Sequence, residues 1–98
     1  MTTRSYRIAH IREQGQDMIF IPVQSLSHAS HNDIVAIVDG LQRCAVAAGL
    51  AGTVVLCWQS GGQTRFMGPP QWAQLFNSLS WERVHASRNK VLYCDYAF

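Results

Sequence analysis

Between Cys44 and Trp81 the chain runs for 38 residues with one charged side chain, Arg65, where ordinary usage of about a quarter charged residues would supply roughly nine or ten. A stretch this long, holding Trp58, Phe66, Trp72 and Phe76, must set most of its surface against other protein. That protein is either its own core or a partner.

The 98 residues are read as one domain spanning 1–98. Such a chain buries roughly 60 to 70 per cent of its unfolded surface and folds without a disulfide or a metal. Apolar residues make up 48% of the chain and charged ones 14%, which excludes a disordered segment, since disorder needs low hydrophobicity and high net charge. The formal charge of +2 is too small for a whole-domain footprint on nucleic acid, so any basic patch has to be local. Cys44, Cys57 and Cys94 are odd in number and form no C-x-x-C pair, a pattern expected of reduced thiols in a cytoplasmic protein. The opening residues lead into alternation rather than an apolar h-region, so no secretory signal is expected. The longest apolar runs, 18–23 and 45–52, fall far below the roughly 18 residues of a membrane helix. The expectation is a soluble protein.

Tyr6 and Ile8 alternate with Arg7 and Ala9, the pattern of a half-exposed strand. A turn follows at residues 13–16. The run Met18-Ile19-Phe20-Ile21-Pro22-Val23 is apolar on both faces, as in a strand covered on both sides that ends at Pro22. Ser30-His31-Asn32-Asp33 fits a helix start with a reciprocal cap. Ile34, Ile37, Val38, Leu41, Cys44, Ala45 and Ala48 then recur at spacings of three and four, and Gly49-Leu50 suits a left-handed helix end. The opposite face is short-chained at Ala36, Gly40 and Ala47. Residues 53–59 read as a β-branched strand, Ser60-Gly61-Gly62 as a tight hairpin turn, and residues 63–67 as the returning strand. After Gly68-Pro69-Pro70, the positions Trp72, Leu75, Phe76 and Leu79 draw a second helix. Residues 81–86 suit either its continuation or an alternating strand, and a last strand is expected over 90–96.

The element order is therefore ββαββαβ. The fold class is α+β, with a single antiparallel or mixed sheet of about five strands and two helices on one face. With the first strand set aside, the remainder has the β-α-β-β-α-β order of ferredoxin-like domains. That likeness is architectural and carries no function.

The histidine pair His28-x-x-His31 supplies two of the three or four ligands zinc requires, on a Ser/Asn-rich loop where histidines are usually solvated. No metal or cofactor is expected. Nucleophilic catalysis needs a thiol or hydroxyl beside a base, and His85 with Cys94 is the one pair worth naming. Cys57, set among Val and Leu, behaves as a small hydrophobe. The β-α-β-β-α-β order also belongs to the RNA-recognition motif, but its basic-aromatic strand signature is absent, and residues 63–67 do not replace it. Arg4, Arg7 and Arg12 lie near one end of the chain and Arg83, Arg88 and Lys90 near the other, so adjacent edge strands would join them. Glu13, Glu82 and Asp95 would dilute that patch.

The uncharged strand 53–59 is a liability at a sheet edge, and the uncharged helix 71–80 suits a contact surface. Both point to a homodimer with two-fold symmetry. The function expected is binding rather than catalysis, through Trp58, Arg65, Phe66 and Trp72. The aromatics would provide apolar area, and Arg65 would orient an anionic small ligand or a protein partner. Neither nucleic acid nor a membrane is the partner expected. A nucleic-acid-binding domain using a local basic patch with aromatics, and a small enzyme using His85 and Cys94, are the alternatives. A continuous basic face beside exposed aromatics would favour the first of these.

Overall fold

The computed structural model describes residues 4–24, 26 and 29–95. Two strands, β1 (Arg4–Glu13) and β2 (Gln16–Pro22), form a hairpin closed by Gln14 and Gly15. Helix α1 (His31–Ala47) crosses over to β3 (Thr53–Ser60), which lies parallel to β2. A second hairpin carries β3 into β4 (Gln63–Met67). Gly61 and Gly62 there hold φ values of 58° and 79°, the left-handed pair that a two-residue hairpin turn requires. A single 3-10 turn (Pro70–Trp72), α2 (Ala73–Asn77) and α3 (Trp81–Ala86) then lead to β5 (Lys90–Cys94), which pairs antiparallel with β1.

The sheet order is β4-β3-β2-β1-β5, a mixed five-stranded sheet. It is not the ferredoxin-like order. That arrangement splits its βαβ units by placing another strand between the parallel pair, whereas β2 and β3 are hydrogen-bonded neighbours here.

The helices occupy both faces of the sheet, a correction to the expectation of two helices on one face. Ile8, Ile19, Ile21, Val54, Leu56, Leu92 and Cys94 turn toward α1 and meet Ile34, Ile37, Leu41 and Ala45. Their alternates Ala9, Met18, Phe20, Val55 and Cys57 turn the other way, against Trp72, Leu75, Phe76, Leu79 and Val84. The reason is written in β2 and β3, where both sets of alternate side chains are apolar and both need cover. In the second core, Phe66 stacks on Phe76 at 5.0 Å, and both meet Phe20 edge-on at 6.2 Å.

Both ends of α1 are closed as their residues require. The Ser30 hydroxyl accepts from the Asp33 amide at 3.1 Å, and the Asp33 carboxylate accepts from the Ser30 amide at 3.0 Å. At the other end Gly49 takes φ 78°, its amide donates to Val46 O, and the Leu50 amide donates to Ala45 O, the paired bonds of a glycine-terminated helix. Gln42 ties α1 to the start of β3: its Oε1 accepts from the Val54 amide at 2.8 Å, and its Nε2 donates to Gly52 O.

Cys44 and Cys94 are joined by a disulfide, with 5.7 Å between their Cα atoms, inside the bonding range. This corrects the expectation of three reduced thiols. Pairing β5 beside β1 carries Cys94 under the last turns of α1, a contact that a separation of 50 residues does not announce. Cys57 is the free thiol, buried in the sheet. The inference of a cytoplasmic protein rested on reduced cysteines and loses that ground. Among the described residues no helix is long and apolar enough to cross a membrane.

Candidate nucleic-acid interface

The pairing of β1 with β5 decides what the basic residues can do. In register, Arg7 stands opposite Val91, Ser5 opposite Tyr93, and Arg4 opposite Cys94. Leu92 and Cys94 are buried beneath α1, so alternation turns Val91 and Tyr93 to the other face. Helix α3 covers part of that face: its Val84 shares a core cluster with Ala9, and its Trp81 and His85 border hollows lined by Arg7. Beyond it the sheet is open, with Val91 47% and Tyr93 69% exposed. An aromatic ring and an aliphatic side chain thus stand on bare sheet, with Arg7 in the adjacent strand.

Two hollows adjoin this face. One, of about 350 Å³, is lined by Arg7, His85, Arg88, Asn89, Lys90 and Val91. The other, of about 550 Å³, shares Arg7, His85 and Arg88 and adds Arg4, Ser5, Tyr6 and Trp81 along with the end of β2. No carboxylate lines either one. Two ion pairs lie elsewhere, Arg12 with Asp17 at 3.8 Å and Arg43 with Asp39 at 2.8 Å. Arg7 and Arg88 line both hollows, with Lys90 at the rim of one and Arg4 at the rim of the other, so positive charge gathers along the β1–β5 edge in a chain whose net charge is only +2, and such local clusters attract anions.

The turn from α3 into β5 is held rigidly. The Asn89 side chain behaves like one more backbone residue of β5: its Oδ1 accepts from the His10 amide and its Nδ2 donates to His10 O, both at 2.9 Å. The Asn89 amide itself donates to Ile8 O at 3.0 Å. Arg88 Nε donates to His85 O at 3.0 Å, which occupies one of the five N–H donors of its guanidinium and fixes the plane of the rest. His85 leans on Trp81, with ring centroids 4.4 Å apart. Burial, and after it the Arg88 charge, hold its pKa below the usual histidine value. Its Nε2 is buried without a hydrogen-bond partner.

The residues singled out from the sequence are divided by the sheet. Trp58 and Arg65 are cross-strand partners. Trp58 packs against the α1 core, while Arg65 is exposed. Phe66 and Trp72 pack in the core on the opposite face, so the four do not line one cavity. His85 and Cys94 do not meet either: Cys94 is bonded to Cys44 on the α1 side, and His85 sits on α3 on the other. The proposed thiol–imidazole pair is thereby removed. Of the six basic residues expected to join, Arg4, Arg7, Arg88 and Lys90 do. Arg12 and Arg83 instead share a separate hollow with Glu13. His28 lies outside the described residues, among which no group of three or more His, Cys, Asp or Glu is placed to hold a metal.

No protein-family model, curated protein or solved structure matches this chain.

Sequence reasoning passed over Val91 and Tyr93. The alternation of Leu92 and Cys94 with Val91 and Tyr93 was available as a signal. What it lacked was a reason to place β5 at an edge with one face uncovered.

Proposed function

We propose that the protein binds single-stranded nucleic acid across the open end of its sheet. The observation that carries this reading is the exposed Tyr93 and Val91 on the same sheet face as Arg7, whose two hollows, shared with Arg88, are lined by basic residues and no carboxylate. A base stacks on the Tyr93 ring, which is sequence-tolerant because every base has a π-face. The arginines and Lys90 meet the flanking phosphates, and the exposed Val91 gives the sugar or a neighbouring base an apolar floor. A duplex suits this face poorly. Its bases are already stacked, and reading them requires a helix or a two-stranded ribbon that enters a groove, whereas α3 is six residues long and packs on the sheet.

Four cations on a single strand, each contributing about 0.7, should give a slope of log K against log salt of about −3. Fluorescence anisotropy of a labelled single-stranded oligonucleotide, titrated from about 50 to about 200 mM salt, measures it. Arg7→Ala should weaken binding of all sequences alike and lower the slope by about 0.7. Binding that ignores salt, or none at the lowest salt, refutes the reading.

A further inference from the structure

The disulfide lies directly behind the proposed binding face. Strand β5 is an edge strand of five residues, held by β1 on one side only. Its two faces have opposite duties: Val91 and Tyr93 stand exposed, while Leu92 and Cys94 are buried under α1. Helix α1 is the best-anchored element behind it, with Ile34, Ile37, Leu41 and Ala45 in the core. The Cys44–Cys94 bond ties the far end of β5 to that anchor, one residue beyond Tyr93. At the near end the Asn89 carboxamide and the Arg88 side chain hold the turn. The binding strand is therefore clamped twice, and one clamp is a redox-active bond.

We propose that the Cys44–Cys94 disulfide is a reversible redox lock on the nucleic-acid-binding face, an inference that rests on the function proposed above. A small dithiol or a thioredoxin-class protein is the reductant. Its thiolate attacks Sγ of Cys44, the half-buried member of the pair, and the S–S bond breaks. Cys94 leaves as a thiolate and takes a proton. The second thiol of the reductant then closes on the mixed disulfide, releasing Cys44 as a thiol and leaving the reductant oxidised to its disulfide. Two electrons and two protons pass to the protein. Once reduced, Cys94 is an ordinary small apolar side chain, and the end of β5 loses its covalent tie to α1. Tyr93 then has to be ordered when the oligonucleotide binds, and that ordering weakens the complex. Cys57 takes no part: it is buried in the sheet, and burial pushes its thiol up to about 12, so little of it is the reactive thiolate.

The test uses the intact chain, oxidised and after dithiothreitol, with thiol content counted by alkylation and mass. Oligonucleotide affinity is read by anisotropy, and exchange of the β5 amides by mass spectrometry. Reduction should weaken binding roughly tenfold, about the cost of ordering one residue's backbone, and should speed exchange of the Tyr93 and Cys94 amides. Cys44→Ser with Cys94→Ser should bind like the reduced protein and ignore dithiothreitol, while Cys57→Ser should respond as the native chain does. Should the double variant fail to fold, reduction of the native chain answers the same question. Equal affinity in both redox states overturns the lock. If neither state binds, the nucleic-acid reading falls. Exchange at β5 then judges the lock by itself, and unchanged protection on reduction overturns it.

Discussion

Tyr93 carries the aromatic share of the proposed interface, and its own environment allows it to be tested cleanly. It is 69% exposed on an edge strand paired with β1, so Tyr93→Ala removes a stacking surface without opening a core. Stacking of one base on an aromatic ring is worth about 1–3 kcal/mol. The variant should lose affinity by that amount while keeping the salt slope of the native chain, and Tyr93→Phe should bind nearly as well as the native protein. Anisotropy over a salt series reads both. A variant that binds undiminished removes Tyr93 from the interface.

His85 makes a second prediction at this scale, facing Trp81 on its own helix with Arg7 and Arg88 lining the same hollows. In the unfolded chain it protonates near its ordinary value of 6.5, whereas in the folded protein burial and Arg88 hold that value lower. Between the two values the unfolded chain binds more protons, so stability rises with pH across that window and falls as the pH drops below the ordinary value. Urea unfolding at neutral and mildly acid pH should show this loss in the native chain and less of it in His85→Gln. Identical pH dependence in the two proteins would set the role of His85 aside.

Among the elements, α1 was the most legible. The Ser30 and Asp33 cap, the apolar stripe and the Gly49 ending are all local chemistry, and each is found where its residues place it. The segment after Pro70 was not. One helix was expected over 71–80, followed by an undecided stretch, and the chain instead makes a 3-10 turn, a short α2, and a new helix at Trp81. Ser80 explains the restart, since its hydroxyl accepts from the Arg83 amide at 3.1 Å. That is the same capping chemistry as at Ser30, and the recurrence of Trp72, Leu75, Phe76 and Leu79 at helical spacing masks it in the sequence. These short helices are held to the sheet by side chains rather than by their own length, as helices of one or two turns must be. Phe20, 1% exposed, meets Phe66 on β4 and Phe76 on α2 edge-on. Phe20→Ala should therefore cost about 3–5 kcal/mol in urea unfolding, and exchange protection in α2 should fall with it. A loss below about 1 kcal/mol would show that this core collapses around the gap.

The whole molecule reinterprets the uncharged run from Cys44 to Trp81. Strand β3 lies between β2 and β4, so the charge-free strand that pointed to an oligomer is explained by the protein's own sheet. Proposing a homodimer now rests on the exposed, neutral outer residues Gln71, Gln74, Asn77 and Ser78, whose chemistry suits a contact surface depleted of charge. Light scattering over a concentration series is the measurement. The homodimer requires twice the 11.0 kDa of one chain, and a constant single-chain mass removes it.

From sequence alone came the α+β class, the hairpins, the caps of α1 and the need to cover β2 on both sides. These depend on side-chain alternation, turn residues and hydrogen bonds within a few positions along the chain. Two-sided cover even implied helices on both faces, although the helices were expected on one. The tertiary structure alone decided that β5 adds beside β1. That single pairing depends on contacts between residues some 85 positions apart, such as Arg7 with Val91, which no local pattern encodes. It joins Arg4 and Arg7 to Arg88 and Lys90, exposes Tyr93, separates His85 from Cys94 and brings Cys94 to Cys44. Strand order and pairing are fixed by packing across the sheet, and the candidate site exists only once that packing is made.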